Sequence, residues 1–121
     1  MPIVDIEIVT RPAELLAPGL AVALADALGG VLDAAPGKVW VRLRSLPAES
    51  YAENQCGADR PSPVFVTFTA SSPPEGENLK AIVQGMTQAV ARATDRPAEN
   101  VHVLVSPSAK GRIAFGGRIA K

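Results

Sequence analysis

Apolar and polar positions alternate along the first residues. In Pro2–Val9, Val4, Ile6 and Ile8 fall on one side of an extended chain and Asp5 and Glu7 on the other, the period of a half-buried strand. Thr10-Arg11-Pro12 ends this strand. Leu20, Leu24, Leu28 and Leu32 then recur at four-residue spacing, the apolar stripe of a helix, and the pattern predicts one over Ala13–Leu32. Pro18-Gly19 lies inside it and should kink the helix or reset its first turn. Pro36-Gly37 closes it. A second strand is predicted over Lys38–Leu46, with Val39, Val41 and Leu43 on one face and Trp40, Arg42 and Arg44 on the other.

Residues 47–63 turn polar, with Gly and Pro, and predict loop and hairpin rather than core. The pattern then restarts. Pro63–Thr69 is a predicted strand, and Leu79, Ile82, Val83, Met86 and Val90 mark an amphipathic helix from about Glu75 to Thr94. Asn100–Val105 is a fourth strand, and Ala114–Ile119, with Gly116-Gly117 at its centre, is a small hairpin. The halves align: Pro2 and Pro63 are 61 residues apart, Pro36 and Pro97 also 61, and Val39 and Val101 62. Each half is a β-α-β unit followed by a hairpin. The expected fold is an α/β sandwich, a four-stranded sheet with both helices on one face. It forms a single domain over residues 1–121, with pseudo-repeats at about 2–61 and 62–121. Its other face carries Trp40, Phe65 and Leu104, and burying it calls for a second copy of the chain.

Composition narrows the function classes. The chain has 121 residues, 47% of them hydrophobic, enough for one ordinary core. Twelve basic side chains balance twelve acidic ones, so no affinity for nucleic acid or anionic membrane is expected. A single cysteine, Cys56, excludes an internal disulfide and a multi-cysteine zinc cluster. The single histidine argues against a His-rich metal site. The start, Met1-Pro2-Ile3-Val4-Asp5, lacks the basic and apolar runs of a signal peptide, and no stretch reaches membrane-spanning length. A cytoplasmic protein is expected.

The opening Met1-Pro2-Ile3-Val4, the doubled β-α-β unit, and the end Val101–Gly117, with Ala109-Lys110-Gly111 before the Gly-Gly turn, together resemble the tautomerase superfamily. Taken as two fused subunits, nearly the whole chain is similar to 4-oxalocrotonate tautomerase (4-OT). The resemblance implies a homotrimer, no cofactor and no metal. It also implies a catalytic Pro2. With Met1 removed, Pro2 is a terminal secondary amine; such groups titrate near ~7.7–8 and lower when buried or near cations. A neutral amine can take a proton α to a carbonyl and return it elsewhere. Pro63, an amide in mid-chain, cannot.

The activity so implied is a cofactor-independent tautomerase or isomerase acting on a small enol or unsaturated keto acid. Two alternatives stay open: a catalytically silent binding or structural protein that keeps Met1, and a hydratase or decarboxylase on the same scaffold. The family's use of arginines to hold carboxylates makes Arg11, Arg42, Arg44 and Arg112 candidate substrate-binding residues. Tyr51 and His102 join them, Tyr51 standing near the family's aromatic pocket residue in the first half and Ile113 in the second. Trp40 and His102 occupy second-strand places where 4-OT has arginine, which counts against dicarboxylate dienols. Ala70-Ser71-Ser72-Pro73-Pro74 lacks the arginine pair of the haloacrylate dehalogenases. Cross-strand pairing with Asp5 and Glu7 is the competing account of Arg42 and Arg44.

Overall fold

A computed structural model describes residues 1–57 and 62–121. Four strands make the main sheet: β1 (Ile3–Thr10), β2 (Trp40–Pro47), β3 (Val64–Thr69) and β4 (Val101–Val105). Helix α1 (Leu20–Val31) joins β1 to β2, and α2 (Gly76–Thr94) joins β3 to β4. The spatial order is β2-β1-β3-β4. Each half pairs its own strands in parallel, and β1 and β3 run antiparallel at the centre. Both helices cover one face. Val4, Ile6 and Ile8 of β1, and Val64, Val66 and Phe68 of β3, are buried against Leu24, Leu28, Met86 and Val90. No helix among the described residues is long and apolar enough to cross a membrane.

Several expectations need correction. The helix predicted from Ala13 begins only at Leu20, because Gly19 takes a left-handed conformation (φ 80°) and ends the turn that Pro18 starts. Leu15 is left fully in solvent. The hairpin expected after β2 is absent among the described residues: a 3₁₀ turn over Ala48–Ser50 leads into irregular chain through Gly57. The part of that prediction on residues 58–61, with the repeat boundary at 61/62, lies outside the described residues. The tail does form a hairpin, β5 (Ala114–Phe115) with β6 (Arg118–Ile119). Gly116 and Gly117 both have positive φ (60° and 86°), which a two-residue turn of this kind demands.

The repeat has one shift, and it is 62. In both halves the parallel strands pair at an offset of 37 residues, as in Ile3 with Trp40 and Val64 with Val101. A shift of 62 carries fully buried Leu24 and Leu28 onto fully buried Met86 and Val90. It also carries Asp33 onto Asp95, both left-handed just past a helix (φ 51° and 54°). The Pro2–Pro63 spacing of 61 would exchange the two faces of the strand, so the counterpart of Pro2 is Val64, not Pro63.

The halves are locked together by Arg96, whose side chain is 2% exposed. Its guanidinium donates to the Glu14 carboxylate at 2.8 and 3.1 Å, and to the carbonyls of Ser62, Val9 and Thr94 at 3.1, 3.1 and 3.3 Å. These contacts draw together the end of β1, the loop after it, the chain entering β3 and the end of α2. Hydrogen bonds from Arg96 hold the Glu14 carboxyl below its ordinary value, outweighing the opposite effect of partial burial.

Arg96→Met leaves Glu14 with only its Arg11 contacts and takes a donor from each of three carbonyls, and should cost about 3–5 kcal/mol in urea unfolding. Because the folded Glu14 pKa is depressed, its contribution is present above the unfolded-state value and lost as pH falls through the folded one. The wild type should therefore lose stability through the acid range more steeply than Arg96→Met.

Candidate active site

Pro2 lies one step before β1 and in phase with Val4, so its ring points to the helix side of the sheet. Its carbonyl accepts the Trp40 backbone N–H at 3.1 Å, which anchors it to β2. Antiparallel pairing of Ile3 with Thr69 sets it beside the chain leaving β3. There it lines an open cleft of about 650 Å³ with Met1.

Three segments wall the cleft. Leu32 and Ala34 come from the end of α1. Ala34 is placed by its N–H, which bonds the Gly29 carbonyl at 2.9 Å and wraps the chain over the helix end. Ala70, Ser71 and Ser72 follow β3. The Ala109 N–H bonds the Ala70 carbonyl at 3.0 Å, and the Ser108 hydroxyl bonds the Ser71 carbonyl at 2.5 Å, so the chain after β4 braces this wall. Asn78, Ala81 and Ile82 come from the first turns of α2. The cleft is apolar below, where Phe68 lies, and offers neutral polar groups at Ser71, Ser72 and Asn78. No cationic side chain of the described residues lines it.

The other predicted site residues stand elsewhere in this chain. Arg42 and Arg44 are on the open face of the sheet. Arg42 grips Asp5 through two bonds of 2.6 and 2.8 Å, which lowers the Asp5 pKa and raises its own. Arg44 stands opposite Glu7 in register and lines a shallow hollow with Asp5, Phe65 and Thr67. Arg11 is at the far end of β1, about 30 Å from Pro2 at strand rise, and pairs with Glu14 at 3.6 Å. Tyr51 donates to Glu53 at 2.5 Å and its ring meets Phe65, which in turn meets His102, with centroids 5.9 and 5.7 Å apart. Arg112 is exposed in the turn before β5. Cys56 is exposed, its thiol 3.9 Å from Glu53.

In the sequence, Ser71 and Ser72 stand out only as places where arginine is missing. Ala34, Asn78 and Ala81 do not stand out at all, because small and neutral residues carry no chemical signature. Pairing of β1 with β3 was the missing information, since it alone brings the chain after β3 to Pro2.

No family model matches the chain. A curated protein of Lactiplantibacillus plantarum (strain ATCC BAA-793 / NCIMB 8826 / WCFS1), named "Probable tautomerase", is 44% identical over 41 residues. That match takes in 34% of this chain and spans 64% of the length of the relative. Among solved structures, a fused 4-OT, wild type and a symmetric trimer, superposes with a TM-score of 0.73 at 18% identity, over 98% of this chain and 94% of that one. N1, a member of the cis-3-chloroacrylic acid dehalogenase family, superposes with a TM-score of 0.77 at 20% identity, over 98% and 83%. The mixed four-stranded sheet with its two helices is the fold shared with these solved structures.

Proposed function

We propose that the chain, once Met1 is removed, is a cofactor-independent tautomerase in which Pro2 is the general acid and base. The observation that carries this reading is the position of Pro2 in the cleft, on the helix side and half-buried. Partial burial among Leu32, Phe68 and Ile82 favours the neutral amine. That nitrogen takes the hydroxyl proton of a small enol, or the proton α to the carbonyl of an unsaturated keto acid, and returns it to a carbon of the same molecule. Ser71, Ser72 and Asn78 supply neutral hydrogen-bonding groups for the substrate oxygen as charge develops there.

Met1 itself lines the cleft. While it is attached, the Pro2 nitrogen is an amide with no basic lone pair and the cleft is partly filled. Retained Met1 thus gives the second reading, a binding protein without the chemistry.

Intact mass of protein made with its native start separates the two: loss of one methionine frees the amine, and retention blocks it. For the processed protein, ketonisation of phenylenolpyruvate should rise with pH to a plateau, with an apparent pKa at or below ~8. Pro2→Ala should abolish the turnover with its far-UV spectrum intact; unchanged turnover in that variant would end the tautomerase reading. Ala81→Trp fills the cleft from an exposed helix position and should lower kcat/KM at least about tenfold without unfolding the chain.

The second part of the proposal is a homotrimer closed over the open sheet face. That face exposes Trp40, Phe65 and Leu104, and the solved fused 4-OT with the same fold is a symmetric trimer. Light scattering should give three times the 12.6 kDa chain mass, and Leu104→Lys should shift it toward the monomer. A monomeric wild type would contradict this assembly.

A further inference from the structure

Arg96 and Glu14 play no part in the Pro2 cleft, yet Arg96 is the one buried charged residue among those described. The repeat explains where it stands. A shift of 62 carries Ala34 onto Arg96. The equivalence is bonded as well as counted: the Ala34 N–H reaches the Gly29 carbonyl, and the Arg96 N–H reaches the Ala91 carbonyl, at 2.9 and 3.0 Å. The same shift carries Leu32 onto Thr94, and it carries Val9 onto Ser71. Glu14 falls between Pro12 and Leu16, the counterparts of Pro74 and Asn78. Arg96 bonds the carbonyls of Thr94 and Val9 and the carboxylate of Glu14. The guanidinium and its partner therefore fill the place in the second half that is an open cleft in the first.

We infer that this place is a carboxylate-binding site whose resident ligand is the chain's own Glu14, the second copy of the Pro2 cleft turned inward and closed. The proposal stands apart from the chemistry of Pro2 and does not need it. Arg96 has five N–H bonds. Three go to the carbonyls of Ser62, Val9 and Thr94, so the group is oriented without help from any ligand. The two that remain point side by side at the Glu14 oxygens, at 2.8 and 3.1 Å, the forked pattern that matches a carboxylate. One of those oxygens also accepts the Arg11 N–H at 2.8 Å. Truncating Glu14 at Cβ removes a fragment the size of acetate and leaves its donors in place. A site prepared in this way loses little freedom when a ligand enters.

The test uses the full chain with Glu14→Ala, unfolded by heat in sodium acetate and in sodium chloride of equal ionic strength near pH 7. Acetate should raise the Tm of Glu14→Ala in a saturable way, on the order of 4 °C beyond chloride. Wild type, whose site is filled, should respond equally to both salts, and Glu14→Ala/Arg96→Met should lose the acetate effect. An equal response of Glu14→Ala to the two salts, or an acetate effect that survives loss of Arg96, overturns the proposal. If Glu14→Ala does not fold in chloride, refolding from urea is read by far-UV circular dichroism. Recovery in acetate alone supports the site, and no recovery in acetate overturns it.

Discussion

The alternation of side chains along β1 is the constraint on which the rest depends. Over Ile3–Ile8 the even-numbered residues face the helices and the odd-numbered ones the open sheet surface. Pro2 shares the phase of Val4, Ile6 and Ile8. That phase puts its ring in the cleft beneath the helix ends, and it sends Asp5 and Glu7 to the surface where Arg42 and Arg44 stand. A slip of one residue would bury two carboxylates and move Pro2 to the wrong side. The antiparallel seam of β1 with β3 acts with this phase. It sets the start of one half against the strand end of the other, so the cleft is made from both.

Strand phase and helix position were legible in the sequence because both are carried by repeating apolar contacts. The leucines of α1 and the apolar stripe of α2 face the sheet as their spacing predicts, and Trp40, Phe65 and Leu104 lie on the open surface. What failed was decided by single backbone conformations. The left-handed Gly19 delays α1 to Leu20 in spite of apolar residues before it. Prolines misled the repeat: Pro2 and Pro63 are conspicuous, but the face of the strand follows the apolar residues, and these repeat at 62.

The candidate site was legible at Pro2 and hardly beyond. Arginines attract attention as anion clamps, yet a guanidinium is available to a ligand only if no neighbour uses it. Arg42 is committed to Asp5 in the adjacent strand, and Arg96 is committed to five oxygens at once. The cleft at Pro2 is defined instead by what is small. Ala34, Ala70 and Ala81 leave the space, and the serines and Asn78 give it neutral polarity. The same position, Ala34 in one half and Arg96 in the other, is what opens one cleft and closes its twin.

Glu14 and Arg96 are 82 residues apart, and their contact also needs the end of β1 and the chain entering β3 to be in place. Closing a contact of that separation costs more chain entropy than the contacts within either β-α-β unit. What it returns is a tie between the halves that neither unit's own core supplies, and the cleft that both halves build depends on that tie.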